Sequence, residues 1–520
     1  MPPRPQEGGD LCAIFIHAGA GYHSHQNEKL HLTAVNDAAK VGMAILKNGG
    51  DALDAAEMAI RLLEDKEITN SGYGSNLTMD GLVECDATMV DHFGRSGAVG
   101  AMSQVKNPIA VARLVLDESI KPLSLQRVPP NLLVGDGATD YAAEKGIPIV
   151  PPDFLVSSNA RERWLRWRRD LEDARLKETH PEPPTASQDD PSTASAWGGS
   201  PISPSASPPA SDRRPSLSQL PPMIRPLVAS TADVPTLAKS KEDRTLTSHA
   251  STTRSSITNT PENPSSTPDA DDVFETEVDD NGTWHTSAPK RQKLNGSFDG
   301  TPCDELSIDG DRHPNPATEQ EFCRVEGRQD EISDTVGAIA IDCFGRIAAG
   351  SSSGGIGMKH KGRCGPAALV GTGTAIIPVD PDDPTQTCVA TVTSGTGEHM
   401  ATTIAAATAA DRIYNSVRRE RGRLVPCSED EAMHSAIRQE FMTHPGVSNS
   451  HCTGAIGILA VKKTREGIYF YFGHNTDSFA IASMHSEERK PVCTMSRSKG
   501  NGSIAQGGRV SRAKHARARS

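Results

Sequence analysis

The sequence predicts an α+β fold, two sheets packed face to face and covered by helices, split in two by a long disordered insert. The insert is read from composition. Residues 181–320 hold 20 of the chain's 37 prolines, and Ser, Thr, Asp and Asn fill most of the rest, as in PISPSASPPASDRRPS (201–216) and TNTPENPSSTPDADD (258–272). Such a stretch buries too little apolar surface to offset its chain entropy. The layers are read from the flanking segments, where strand hairpins have helices before and after them. With the insert placed at 155–333, the ordered domain comes in two pieces, 11–154 and 334–480. A disordered N-terminus (1–10) precedes it and a basic, disordered tail (481–520) follows.

In the first piece, Leu11 to Ile16 makes a short buried strand running into His17-Ala18-Gly19-Ala20-Gly21. A helix near 30–47 stops at Gly49-Gly50, a common way to end a helix. Asp51 is placed to cap the next, near 51–66, whose Leu53, Ala56, Ile60 and Leu63 share one face. A Gly/Asn-rich passage (69–81) and a strand around Val83–Val90 follow. The second piece opens with VGAIAID (336–342), a turn at Cys343-Phe344-Gly345 and a strand from Arg346 to Gly350. Further strands fit 388–393, 453–461 and 467–473, and an alanine-rich helix runs from Glu398 to about Tyr414.

Composition excludes several function classes. No apolar run approaches the ~20 residues that cross a bilayer, and MPPRPQEGGD has no apolar core of the signal-peptide type. The ten cysteines form no CxxC pair, which argues against a zinc ribbon or disulfide framework and fits a reducing compartment. A net charge of −12 gives no reason to expect nucleic-acid binding. His17, His23 and His399 lack metal-ligand spacing. The Gly-rich stretches at 350–357 and 371–373 lack the ending of a phosphate loop. The expectation is a soluble intracellular protein with no metal, cofactor or membrane partner. Lys290, Arg291 and Lys293 form a candidate nuclear-import signal, so the location is cytoplasmic, nuclear or both.

The chemistry is concentrated at Asp334-Thr335-Val336-Gly337, where the insert meets the hairpin. A threonine hydroxyl is a weak nucleophile without a base beside it. A threonine that becomes a chain N-terminus carries its own, because a free α-amine has a pKa of about 7.7–8.0. Cleavage between Asp334 and Thr335 would create that arrangement. Taken alone, Asp-Thr at a strand edge is equally an ordinary strand start.

The surrounding motifs add to this. HAGAGYH (17–23), TNSGYGSNL (69–77), ECDATMVD (84–91), GAVGAMSQVKNPI (97–109), DTVGAIAID (334–342), GSSSGGIGMKHKGRCG (350–365) and TSGTGEH (393–399) resemble, in order, the Ntn-hydrolase family of plant-type asparaginases, glycosylasparaginases and threonine aspartase (peptidase T2). HAGAGYHS, the long insert and SSGG followed by GEH look most like the threonine aspartase (taspase) branch. The resemblance implies a four-layer αββα sandwich. It makes Thr335 the autoproteolytic junction residue and nucleophile, and Ser353 a second hydroxyl beside it. Arg363 becomes the grip on a substrate carboxylate, a task suited to a guanidinium fork. Ser394 and Gly395 become the oxyanion hole, and Gly19 and Asn70 line the nucleophile pocket. Without the resemblance, Ser353 reads as a strand-end serine and Arg363 as a surface arginine beside Lys359 and Lys361. Loop 67–76 resembles a sodium-binding loop built from backbone carbonyls.

One departure separates the branches. Asparaginases carry an aspartate three positions after the arginine, where it holds the ammonium of an amino-acid substrate. Here that position is Pro366, with neither charge nor N–H. A free amino acid would leave its ammonium unpaired, which is costly, whereas an aspartyl residue inside a protein chain has none to satisfy. The lysine stretch after GYH is shifted, SHQNEKL (24–30), leaving Lys29 to supply any second carboxylate contact. The expected activity is therefore a self-processing threonine endopeptidase cleaving protein substrates after aspartate, split between Asp334 and Thr335 into an αβ heterodimer that can pair again. The alternatives are an asparaginase, isoaspartyl peptidase or glycosylasparaginase-like amidohydrolase, and a non-catalytic scaffold whose insert recruits partners.

Overall fold

A computed structural model describes residues 11–179, 335–499 and 502–512, and two short strands between them. The first piece runs β1 (Ala13–Gly21), α1 (Glu28–Lys47), α2 (Ala52–Glu64), β2 (Cys85–Val90), β3 (Ser96–Met102), α3 (Pro108–Ser119), β4 (Leu132–Val134), α4 (Gly135–Glu144) and α5 (Ser158–Thr179). The short strands are β5 (Thr276–Val278) and β6 (Trp284–Thr286). There follow β7 (Val336–Ile341), β8 (Ile347–Ser353), β9 (Thr374–Ile377), β10 (Cys388–Gly395), α6 (Gly397–Thr403) and α7 (Ala405–Asn415). The hairpin of β11 (Val417–Glu420) and β12 (Arg423–Pro426) leads to α8 (Glu429–Ser435) and α9 (Pro445–Ser448). The chain ends on β13 (Ile456–Lys463), β14 (Ile468–His474), β15 (Ser478–His485), β16 (Val492–Arg497) and β17 (Ala505–Ser511).

Two large sheets result, one of eight strands in the order β16-β15-β1-β7-β8-β2-β3-β4 and one of five in the order β17-β14-β13-β10-β9, beside the two-stranded pairs β11-β12 and β5-β6. Both faces of the central strands are buried, so each strand sorts its residues by parity between two cores. Phe15, Ile339, Ile341, Ile347 and Ala349, with Phe479 of β15, turn toward the other sheet, where they meet Val392, Leu459 and Phe470. Ile14, Ile16, Val336, Ala338 and Ala340 turn the other way, against Val35, Met43, Ile60 and Leu63 of α1 and α2. On the far side of the second sheet, Val389 and Ile458 pack against Met400, Ala409, Ile413 and Ile437. The architecture is the four-layer αββα sandwich expected. Asp51 caps α2, its side chain accepting from the Asp54 amide at 2.8 Å.

Three boundaries differ from expectation. Residues from 155 onward were assigned to the insert, yet 158–179 form α5. Its charged sequence hides a narrow stripe at helical spacing, Ala160, Trp164 and Trp167. Trp164 donates to the Thr78 carbonyl at 2.9 Å, and Trp167 covers Gly357, where an added Cβ would lie 2.0 Å from the ring. The tail assigned to 481–520 carries the end of β15 and all of β16 and β17. These strands look polar because each is one-sided at a sheet edge, β16 against β15 and β17 against β14. The single helix over 398–414 is two, broken at Ile404, whose φ of 48° is left-handed. The N-terminus 1–10, the insert over 180–333 apart from β5 and β6, the candidate import signal, Asp334 and residues 513–520 lie outside the described residues. Among the described residues no helix is long and apolar enough to cross a membrane.

Candidate active site

Strand register assembles the site. β7 and β8 are antiparallel with Val336 opposite Ser352, which sets Thr335 opposite Ser353. On the other side β1 pairs His17 with Gly337, and two residues further on are Gly19 and Thr335. Beyond β8, Asp86 of β2 stands opposite Ser353. Parity then decides direction. Thr335 follows Gly337, Ile339 and Ile341, and Ser353 follows Ala349 and Ile347, so both hydroxyls lie on the face turned toward the second sheet. Thr335 Oγ1 donates to Ser353 Oγ at 3.1 Å, and Ser353 Oγ also accepts from the Gly355 amide at 3.0 Å. Both residues are buried.

The loop after Ser353 is held from three sides. Asn70 accepts from the Gly354 amide through its carbonyl and donates to the Gly355 carbonyl through Nδ2, each at 2.8 Å. Its Oδ1 accepts from the Asn76 amide. Asn70 is thus a bracket between the 70–76 loop and the Gly354-Gly355 turn after Ser353. Lys359, 3% exposed, sends its ammonium to the carbonyls of Asn76, Glu84 and Gly354. Asp86 accepts from the amides of Ala101 and Gly365 at 2.9 and 2.7 Å. Burial lifts its carboxyl above the usual range, opposed by those amides and by the nearby Lys359 and Arg363 charges.

Arg363 lies against this loop and is not a surface side chain, being 14% exposed. Its Nε and Nη2 donate to one oxygen of Glu398 at 3.0 and 2.8 Å, while Nη1 is buried without a hydrogen-bond partner among the described residues. Pro366 is buried beside it in a short 3-10 turn and offers the site only carbon.

The far wall comes from β10. It passes over β7 where Val392 faces Gly337, two residues from Ser394 and Thr335 respectively. Ser394 is fully buried and its Oγ accepts from the Ala20 amide at 3.0 Å. That amide is presented by a bulge in β1 between His17 and Ala20, and Gly19 within it has a φ of 106°, where an L side chain is strained. Gly395 has a φ of 141°, and a Cβ there would lie 2.2 Å from the Ala455 carbonyl. His17, fully buried beside the Thr335 backbone, is pushed down to about 3 by burial and is neutral.

Under the nucleophile row lies a second, opposite-facing network. Ser352 points to the helix layer and donates to Glu64 Oε1 at 2.7 Å, while Ser71 donates to Ser352 at 2.6 Å. Glu64 also accepts from the Ile109 amide. It is fully buried, and burial pushes its carboxyl up to about 8.

The structure thus joins Thr335, Ser353, Asn70 and Arg363 through Gly354 and Gly355, and joins Ser394 to the Gly19 bulge. Lys29 is exposed in the first turn of α1 rather than in this buried cluster. Lys359, Asp86, Glu64 and Glu398 were missed by the sequence reading. Asp86, Lys359 and Glu398 lay inside the motifs that carry the resemblance and Glu64 did not, but spacing along a chain does not reveal a charge buried among carbonyls or amides. The Glu67 and Thr69 carbonyls both crowd the Cα of Gly74, at 2.5 and 2.0 Å from where a Cβ would lie. Among the described residues no cluster of His, Cys, Asp or Glu could hold a metal ion.

Residues 11–197 and 244–479 match the asparaginase family. An isoaspartyl peptidase/L-asparaginase of Xenopus laevis is 38% identical over 154 residues, 29% of this chain and 47% of the frog protein. The Danio rerio protein of the same name is 36% identical over 165 residues, 31% of this chain and 49% of its own length. An isoaspartyl peptidase of Salmonella typhimurium is 35% identical over 163 residues, 30% and 49% of the two chains. The chain spans about half the length of these relatives.

Proposed function

The chain belongs to the asparaginase family of Ntn hydrolases, and on that premise we propose a self-processing amidohydrolase with Thr335 as nucleophile. The observation that carries it is the buried Thr335–Ser353 hydroxyl pair at the start of β7. Thr335 Oγ attacks the Asp334 carbonyl, the C–N bond breaks and the acyl group moves to oxygen. Water hydrolyses the ester, leaving Asp334 as a carboxylate and Thr335 with a free α-amine. In the mature enzyme that amine takes the hydroxyl proton as Oγ attacks a substrate aspartyl carbonyl, and returns it to the leaving amine. Ser353 orients Oγ, Ser394 and Gly395 receive the negative charge on the carbonyl oxygen, and Arg363 Nη1 meets a substrate carboxylate. A sodium ion on the Glu67 and Thr69 carbonyls would stiffen the loop that holds Asn70. No other cofactor is invoked.

The relatives' names make isoaspartyl peptides and asparagine the first substrate class. One observation favours the second reading, cleavage of a protein chain after aspartate: Pro366 gives the pocket a carbon wall where a substrate ammonium would need a carboxylate. The products of maturation, 1–334 and 335–520, would stay together as an αβ heterodimer because β1 and β7 are hydrogen-bonded neighbours.

Intact mass of the purified chain beside Thr335→Ala tests the nucleophile. The wild type is expected to split after Asp334 and the variant to stay whole; a variant that splits equally, or a wild type that never splits, refutes the assignment. Hydrolysis of free asparagine, a β-aspartyl dipeptide and an internal α-aspartyl peptide then chooses the class. Turnover of only the third establishes the second reading.

A further inference from the structure

We propose that Glu398 is a positioning residue that fixes which edge of Arg363 faces the substrate. A guanidinium offers its donors along two paired edges. The Nε/Nη2 edge is committed to a single Glu398 oxygen, at 3.0 and 2.8 Å, and Nη1 is left buried with no partner among the described residues. The slot around the head group is cut to its shape by glycine. An added Cβ at Gly355, Gly365 or Gly397 would approach a terminal guanidinium nitrogen to 2.6, 2.5 or 2.6 Å. Gly355 is the residue whose amide bonds Ser353, so the uncommitted Nη1 lies against the nucleophile loop. Glu398 sits in the first turn of α6, three residues after Gly395. It therefore ties the arginine to the chain carrying the Ser394-Gly395 pair. Its carboxyl is held below the ordinary range: burial alone would raise it, and the hydrogen bonds and charge of Arg363 outweigh that.

This rests on the reading of Arg363 as the carboxylate contact. Without Glu398 the guanidinium loses its only fixed edge and must be ordered by the substrate, which weakens binding while leaving the Thr335–Ser353 pair untouched. The glutamate is more than half exposed, 58% of its side chain, so replacing it disturbs little of the core.

The test compares full-length, self-cleaved wild type, Glu398→Ala and Glu398→Gln, with intact mass and thermal melting for each. Kinetics use whichever of the β-aspartyl dipeptide or internal aspartyl peptide the wild type hydrolyses. Glu398→Ala is expected to raise KM about tenfold with kcat within about threefold. Glu398→Gln keeps an oxygen that accepts both donors and is expected to recover most of the KM. Unchanged KM in Glu398→Ala, a loss confined to kcat, or equal KM for the two variants overturns the proposal. A wild type that stays whole refutes the hydrolase reading itself, and this inference with it.

Discussion

Replacing Lys359 with Met tests how the nucleophile loop is held. The lysine stem is kept in length, but the ammonium that bonds the Asn76, Glu84 and Gly354 carbonyls is lost. A buried acceptor left without a donor costs about 1–3 kcal/mol, so three carbonyls at the low end give about 3 kcal/mol. Part of this is offset because the native ammonium is itself uncomfortable. Burial lowers the pKa of Lys359 against the pull of Cys85, Asp86 and Glu84. The net expectation is a loss of about 2–3 kcal/mol, within the range seen when a buried polar network loses one member. The assay is urea denaturation in the uncut Thr335→Ala background, so that cleavage does not enter the comparison. With Thr335 restored, Lys359→Met should also split more slowly, because the Gly354 carbonyl anchors the loop that orients Ser353. Stability within about 0.5 kcal/mol of the parent, a typical surface effect, together with unchanged splitting, would refute the reasoning.

Two further outcomes follow from the same geometry. Glu64 is raised from an ordinary 4.5 to about 8, so between those values the folded chain keeps a proton that the unfolded chain releases. Stability then falls as pH rises through that window, by up to about 1.4 kcal/mol per pH unit from this group. In the Thr335→Ala background, Glu64→Gln should gain on its parent between pH 5 and pH 8 in urea denaturation; a gap that ignores pH contradicts a buried protonated carboxyl. Gly365 has an ordinary negative φ, so Gly365→Ala acts through space alone: its Cβ would lie 2.5 Å from Arg363 Nη1 and 2.9 Å from Asp86. KM should rise about tenfold, the scale of one weakened charge-assisted bond, and an unchanged KM would remove Arg363 from the substrate pocket.

The hairpin around Cys343-Phe344-Gly345 and the capped helix after Asp51 were legible because each is dictated by residues within a few positions, whereas the first strand runs on through the glycine-rich stretch to Gly21. The candidate nucleophile was not legible in this way: by itself Asp-Thr at a strand edge reads as an ordinary strand start, and only the resemblance of the surrounding motifs singles out Thr335. The α5 helix was not legible either, since the stripe of Ala160, Trp164 and Trp167 carries no signal until Gly81 and Gly357 offer surfaces for the two tryptophans. Nor were β16 and β17, whose pattern is weak because only one neighbour and one face make them strands.

Local sequence determined that this chain has two blocks of strands and helices, a polar interruption between them and a threonine at the junction. Only the tertiary structure decided which hydroxyls meet. Strand parity sends Ser353 toward Thr335 and its neighbour Ser352 toward Glu64, although the two serines are chemically identical. It also decided that Lys359 and Arg363, four residues apart in one basic run, have different fates: one ammonium is enclosed by three carbonyls, and one guanidinium keeps a buried nitrogen with no partner among the described residues. Charge and spacing can be read along a chain, but desolvation and hydrogen-bond partners are set by what the fold brings from elsewhere.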